Sequence, residues 1–167
     1  MTTVIIDQSG MPAGDAVIIP PDSQREPVIK NTFFFPDVEP RRIRDLMRLE
    51  YTVTPARMRD AICAGIAEVN AELVEFRERQ MLLGFKTLDA VPAETIDGES
   101  VCCFHYLRAV SAMTAASLYE RYRGYDASGK GEKKAESVEA VIDELWRDMR
   151  WSVSRLQGRP RCIVSQL

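Results

Sequence analysis

Apolar residues recur along most of this chain with the spacing of amphipathic helices. After Thr54 they follow alternating steps of four and three residues, at Ile62, Ile66, Val69, Leu73 and Phe76. Thr54 followed by Pro55 is typical of a helix start, and Gly84 is a natural C-terminal stop. The pattern therefore predicts one continuous helix over about residues 54–83.

Three further helices are predicted, over about residues 37–50, 99–123 and 133–156. Asp37 is a plausible cap for the first of them. The second is rich in small residues that let helix axes approach closely, so we expect it to be central: Ala109, Ser111, Ala112, Ala115, Ala116 and Ser117. The third carries an apolar stripe, which contains Val138, Ile142, Leu145, Met149 and Leu156.

Both ends of the chain read as extended rather than helical. Residues 1–36 contain five of the nine prolines, and these interrupt short apolar pieces. The predicted fold class is therefore all-α, an antiparallel bundle of about four helices in residues 37–158, with an extended N-terminal arm in 1–36 and an extended C-terminal tail in 159–167. A monomer has little use for two apolar extended ends, whereas a subunit of an assembly can use them to contact its neighbours.

Two short segments at these ends are candidate contact sites. The aromatic run Phe33, Phe34 and Phe35 is predicted to anchor the arm to a core or to a neighbouring subunit. The tail combines basic and β-branched residues that suit an extended docking peptide, namely Arg159, Arg161, Ile163 and Val164.

The charge balance limits the possible partners. The formal net charge is −3, so the chain has no overall basic field for nucleic acid. One stripe of the last predicted helix is acidic and is either a solvated face or the lining of a DNA channel: Glu132, Glu136, Glu139 and Asp143. No apolar run is expected to span a membrane, for which roughly 20 residues are needed, and the first ten residues do not resemble a signal peptide.

Candidate chemistry is sparse. Cys102, Cys103 and the single histidine, His105, lie close together, but their spacing matches no zinc motif, so neither a metal nor another cofactor is expected. Neighbours this close diverge around a helix, so His105 is not expected to form an oriented pair with Cys102 or Cys103, whereas an approach of Cys63 or Cys162 in space stays open. Trp146 and Trp151 are equally compatible with a core and with an interface. Arginines cluster at 41–48 and 147–161, which keeps open the alternative of a small helical DNA-binding or regulatory protein.

Four runs of the sequence resemble the phage head-completion protein family, often called protein L. They are EPVIKNTFFFPD at 26–37, ASLYERYRG at 116–124, IDELWRDMRW at 142–151 and PRCIVSQL at 160–167. The likeness extends from about residue 17 to the C-terminus. It is weakest in residues 1–16.

This resemblance implies a structural, non-enzymatic role in the virion of a contractile-tailed temperate phage. Such proteins act after DNA packaging: they dock on the portal vertex, stabilise the filled capsid and provide the tail-attachment surface as a head–tail connector. The expected partners are the portal protein ring, a tail-terminator or tail-completion protein and further copies of the chain in a ring of twelve, near packaged DNA and away from any membrane. The expected location is the neck of the virion, and the host cytoplasm during assembly.

Overall fold

A computed structural model describes residues 26–47, 53–123 and 132–159, with side chains described for all of these except 122, 123 and 132–137. The described part is mostly helical, which confirms the predicted class. Its five α-helices are α1 (Pro40–Met47), α2 (Pro55–Glu72), α3 (Val74–Leu82), α4 (Val101–Arg123) and α5 (Glu132–Leu156). A single 3₁₀ turn, Leu88–Ala90, and a short antiparallel hairpin, β1 (Thr95–Ile96) and β2 (Glu99–Ser100), connect α3 to α4.

Helix α2 begins and α3 ends as the sequence predicts. The Thr54 hydroxyl accepts a hydrogen bond from the amide of Arg57 at 3.4 Å, and proline occupies the first turn. Gly84 follows α3 with a φ of +95°, a conformation that favours glycine at a helix end. Both helix ends are therefore determined by local sequence.

The prediction of a single long helix over 54–83 is wrong, because Leu73 separates α2 from α3. Leu73 is fully buried and has a φ of −101° and a ψ of 10°. Its amide still donates to the carbonyl of Val69 at 3.1 Å, and Arg77 donates to the Leu73 carbonyl at 2.9 Å. Because hydrogen bonding continues on both sides, the interruption is local and the predicted stripe stays apolar and buried.

Helix α4 packs against both α2 and α5, as expected for a central helix. A Cβ added at Gly65 of α2 would lie 2.9 Å from Oγ1 of Thr114 and 3.4 Å from the Val110 carbonyl oxygen of α4. Thr114 is fully buried, so its hydroxyl cannot simply turn into solvent. The two helices approach so closely because small residues meet at their contact.

Helix α4 also meets the length and composition test for a membrane-spanning helix, over Val101–Arg121. The sequence analysis did not predict this, because it considered only continuous apolar runs. Alanine, serine and threonine make α4 long and nearly uncharged without such a run. Of its most apolar window, 61% is buried inside the protein. Burial of this extent between α2 and α5 is typical of a core helix.

Helix α5 contributes part of its predicted stripe to the core. Ile142 and Leu156 of this stripe are buried, whereas Val138, Leu145 and Met149 are only partly so. Val153, which is not part of the predicted stripe, is buried as well. Gly158, with a φ of +68°, follows the helix as predicted. The partial exposure of Leu145 makes an alanine there less costly than the roughly 2–5 kcal/mol expected for a fully buried leucine.

The connection between α3 and α4 contains a hairpin that the sequence analysis did not predict. Asp97 and Gly98 have φ values of +53° and +76°, as the two central residues of a type I′ turn require. The side chain of Glu99 accepts two hydrogen bonds from the Arg42 guanidinium, at 2.7 and 3.2 Å, and so connects the hairpin to α1.

Candidate docking surfaces

Residues 29–38, called the Phe33 loop from here on, form a closed loop on the surface of the helices. Ile29 and Val38 pair as an antiparallel bridge, with hydrogen bonds of 2.8 and 3.0 Å in the two directions. Between them, Phe34 and Phe35 point into the core of the same chain, and the amide of Leu88 donates to the Phe34 carbonyl at 2.8 Å. Phe33 is 68% exposed. The contact with a neighbouring subunit predicted for Phe33, Phe34 and Phe35 therefore remains a prediction for Phe33, while the other two rings fill their own core.

A closed network of three side-chain hydrogen bonds holds the Phe33 loop to α2 and α4. The Asn31 amide donates to the hydroxyl of Tyr106 at 2.7 Å, this hydroxyl donates to Asn70 at 2.7 Å, and the Asn70 amide donates back to Asn31 at 3.0 Å. The ring of Phe35 stacks on that of Tyr106 with 4.7 Å between centroids. Burial raises the pKa of the Tyr106 phenol, which therefore stays protonated and able to donate.

We expect Tyr106→Phe to destabilise the protein by roughly 1–3 kcal/mol, because it leaves the part-buried Asn70 carbonyl without its donor while the ring stack remains. Urea unfolding followed by circular dichroism measures this cost. Tyr119→Phe is the matched control, since the Tyr119 hydroxyl has no hydrogen bond to any described residue and its loss should be nearly neutral. Equal effects of the two substitutions would show that the network adds no stability.

Asp37 closes the Phe33 loop instead of capping a helix, so its predicted capping role is wrong. Helix α1 begins three residues later, at Pro40. The Asp37 carboxylate accepts hydrogen bonds from Lys30 at 2.7 Å and from the Asn31 amide at 3.0 Å. The Lys30 hydrogen bond, with that of the amide, lowers the pKa of Asp37, which is therefore ionised near neutral pH.

The start of the described chain is fixed by a buried ion pair. The Arg44 guanidinium contacts the Glu26 carboxylate at 2.7 Å and donates to the Val53 carbonyl at 3.3 Å. Arg59 also donates to the carbonyl of Pro27 at 2.9 Å. Residues 1–25 of the predicted arm lie outside the described residues.

The acidic stripe lies on α5. Glu139 and Asp143 are exposed, whereas the side chains of Glu132 and Glu136 lie outside the described set, although the helix includes both positions. The spacing of four, three and four residues places all four positions on one side of a helix. Whether this side faces a channel remains a prediction.

The C-terminal tail leaves α5 beside the junction of α2 and α3. The Gln157 amide donates to the Glu72 carbonyl at 2.7 Å, and Arg159 lies 3.9 Å from the carboxylate of Glu75. The other predicted tail contacts, Arg161, Ile163 and Val164, lie outside the described residues, so the docking role of the tail remains a prediction.

A cleft of about 240 Å³ opens between α4 and α5, and sequence reasoning did not identify it. Its lining includes Phe104, His105, Arg108, Asp148, Trp151 and Arg155. Arg108 and Asp148 form an ion pair of 2.8 Å across it, and the Arg147 guanidinium lies 5.3 Å from the Trp151 ring centroid. The α4–α5 cleft is therefore lined by aromatic rings together with charged groups, two of which pair across it.

The two tryptophans lie in different environments. Trp146 is partly buried and donates to Glu120 at 2.8 Å, whereas Trp151 is 36% exposed at the cleft.

Burial raises the pKa of Cys103 to about 11, so this thiol stays protonated near neutrality and is a poor nucleophile. In the described part of the chain no group of three potential ligands is placed to hold a metal ion.

The C-terminal end of α3 exposes three consecutive large apolar residues, Met81, Leu82 and Leu83, and Leu82 is 90% exposed. The helical pattern alone did not single them out, because it predicts which residues can be buried and not which remain uncovered. These three residues, like Phe33, are exposed apolar side chains of the kind that a partner can cover.

These features describe a mostly helical protein with an anchored aromatic loop and exposed apolar residues. Residues 29–167 match the sequence model of the family described as phage head completion protein (GPL). The chain is also 60% identical over 169 residues to a head completion/stabilization protein of Escherichia phage P2, with all of both chains covered. No solved structure matches it.

The chain therefore belongs to the phage head completion protein family, as the four sequence runs indicated. This family is structural and not enzymatic, which confirms the expected absence of an enzyme activity. A head completion protein contributes to the virion and to capsid assembly, so its partners include components of the phage head.

Proposed function

We propose that this protein docks on the portal vertex after DNA packaging, stabilises the filled capsid and provides the surface to which the tail attaches. The observation that carries this proposal is the full-length identity of 60% to a head completion/stabilization protein. Because the similarity covers all of both chains, it supports a shared role for the whole chain, including the predicted arm and tail.

The finer arrangement follows from the same proposal. Copies of the chain form a ring, for which we adopt twelve subunits, in the neck between the portal ring and a tail-terminator or tail-completion protein. The chain is made in the host cytoplasm and joins the head there. The low net charge of −3 suits a protein that lies near packaged DNA without holding it tightly.

Two surfaces have separate roles in this arrangement. The tail, including Arg159, Arg161, Ile163 and Val164, adds to a portal surface as an extended strand. The acidic stripe of Glu132, Glu136, Glu139 and Asp143 faces the DNA channel, where like charge lets DNA slide. Glu139 and Asp143, the two members with described side chains, are exposed as this requires.

Phage particles made without this chain test the proposed function directly. We expect packaging to proceed, because the protein acts after it, but the packaged DNA should become sensitive to added nuclease. Tails should also fail to join. Nuclease protection is measured by quantitative DNA recovery, and negative-stain images of complemented particles carrying a labelled chain should show the label at the neck.

The purified chain should not bind a DNA duplex specifically at physiological salt. Specific protein–DNA complexes have dissociation constants of roughly 10⁻⁸–10⁻¹¹ M under such conditions. Affinity in that range, together with nuclease-resistant heads in the absence of the chain, would favour the DNA-binding or regulatory alternative and contradict the proposal.

A further inference from the structure

We propose that residues 160–167 of this chain lie along an exposed side of its own helix α3 while the protein is free, with apolar side chains over Leu82. This side consists of Glu75, Glu78 and Leu82 and is called the α3 face from here on. The proposal concerns the protein before assembly, so it goes beyond the proposed function and does not depend on it.

The α3 face changes from acidic to apolar along the helix. Glu75, Glu78 and Leu82 are spaced by three and four residues, which places them on one side of α3, and all three are exposed. Leu82 is 90% exposed and lies between Met81 and Leu83, which are exposed as well. Two carboxylates are thus followed by an uncovered group of apolar side chains.

The first residue of the tail already contacts this face. The Arg159 guanidinium lies 3.9 Å from the Glu75 carboxylate, and the Gln157 side chain donates to the Glu72 carbonyl at 2.7 Å. Gly158, with its positive φ, turns the chain away from the axis of α5 between these two contacts. The pair of Arg159 and Glu75 is solvent-exposed, so it contributes little energy, but it shows where the tail begins.

The tail is long enough to reach the apolar end of the α3 face. An extended chain advances roughly 3.3 Å per residue, so residues 160–167 span up to about 26 Å. Leu82 follows Glu75 by seven residues, which is about 10 Å along a helix axis. Less than half of the tail therefore suffices to cover this distance.

The order of side chains along the tail matches the order along the α3 face. Alternate residues of an extended strand share a side, so Arg161 and Ile163 lie on the side of Arg159. Counted from Arg159, Arg161 advances about 7 Å and so comes near Glu78. Ile163 advances about 13 Å and so comes near Leu82. Two basic residues and an apolar one thus face two acidic residues and an apolar one.

Arg79 determines the edge of α3 along which the tail is expected to run. This arginine is exposed and lies about 40° around the helix from Glu75, on the side away from Glu78. Because Arg161 is repelled by Arg79 and attracted by Glu78, the tail should follow the Glu78 edge.

A tail held in this way can be displaced during assembly. Arg161 and Ile163 cannot contact α3 and a portal surface at the same time, so the portal competes with the α3 face for them. Exposed ion pairs and a small apolar contact are weak, so the tail leaves readily and adds little to the unfolding midpoint of the helices.

Trypsin tests whether the tail is covered in the free, full-length protein. Cleavage after Arg161 releases the peptide CIVSQL, which mass spectrometry quantifies, while Pro160 blocks cleavage after Arg159. A synthetic peptide of residues 157–167 gives the rate for an uncovered site. Because cleavage follows the population of the open form, we expect the protein to release CIVSQL at least about fivefold more slowly than the synthetic peptide does.

Leu82→Gln should raise the release rate at least about threefold, because it removes the apolar end of the α3 face. Leu46→Gln is the matched control, since Leu46 is also exposed, at 59%, but lies on α1. Circular dichroism checks that both variants keep their unfolding midpoint. Equal release from Leu82→Gln and the unmodified chain, or release at the rate of the synthetic peptide, overturns the proposal.

Two charge variants test the expected path of the tail. Glu78→Gln should speed the release of CIVSQL and Arg79→Gln should slow it, although both place the same amide on α3. Changes in the same direction would contradict the proposed path. Protection that disappears on dilution would show that the tail of another copy covers the α3 face. All of these outcomes leave the proposed function intact, because that proposal is tested separately by the nuclease sensitivity of filled heads.

Discussion

Arg44→Met is expected to lower the free energy of unfolding by roughly 3–5 kcal/mol, because it leaves the Glu26 carboxylate buried without its cation. The Arg44 and Glu26 side chains are only 5% and 15% exposed, and their charged groups lie 2.7 Å apart. The substitution also removes the donor to the Val53 carbonyl. Urea unfolding at neutral pH, followed by circular dichroism, measures the loss.

Arg42→Met is the matched control on the same helix. Arg42 pairs with Glu99 at the same distance of 2.7 Å, but the two side chains are 44% and 31% exposed. Solvent screens such a pair, so its loss should cost no more than about 1 kcal/mol.

The double variant Glu26→Gln/Arg44→Met should regain most of the stability that Arg44→Met loses, since no uncompensated buried charge remains. Similar costs for Arg42→Met and Arg44→Met would mean that burial does not strengthen the second pair. In that case the start of the described chain is held by the Arg59 contact and by packing instead.

Helix positions and ends were largely predictable from the sequence because they depend on local chemistry. Thr54 and Pro55 start α2, and Gly84 and Gly158 adopt the positive φ that ends α3 and α5. The apolar spacing also identified the buried faces of α2 and α3. Such signals act over one or two turns, so a single sequence contains them in full.

The interruption at Leu73 and the hairpin at 95–100 were harder to predict. No glycine or proline marks Leu73, and the apolar stripe continues through it, so periodicity cannot reveal the break. Asp97-Gly98 is a strong turn signal, but the flanking strands of two residues each are too short to show alternation. These features depend on how the helices pack, which the local pattern does not report.

The candidate surfaces depend on contacts between distant parts of the chain. Asn31 forms hydrogen bonds with Asn70 and Tyr106, which lie 39 and 75 positions further along the chain. The cleft is lined by residues of both α4 and α5. Nothing in the arginine cluster at 41–48 singles out Arg44 as the buried member. The aromatic run and the charged stripes could therefore be identified from the sequence. Which of their side chains are buried and which are exposed could be learned only from the fold.

Deleting residues 160–167 is expected to leave the helices intact but to abolish the role that we propose for the protein in the neck. The helices should keep their unfolding midpoint, because α5 ends at Leu156 and Gly158 already stops it. Filled heads should lose DNA and fail to join tails, with a drop in titre of at least about a hundredfold, since a docked strand supplies both main-chain hydrogen bonds and side-chain contacts.

The side chains of the tail can be tested separately from its length. In an extended strand Ile163 and Val164 face opposite sides, so only one of Ile163→Asp and Val164→Asp should reproduce the loss of the deletion. A tail of the same eight residues in scrambled order should fail as the deletion does. Normal titres for the deletion would show that the tail is dispensable, and the docking surface would then have to lie on the helices or on the Phe33 loop.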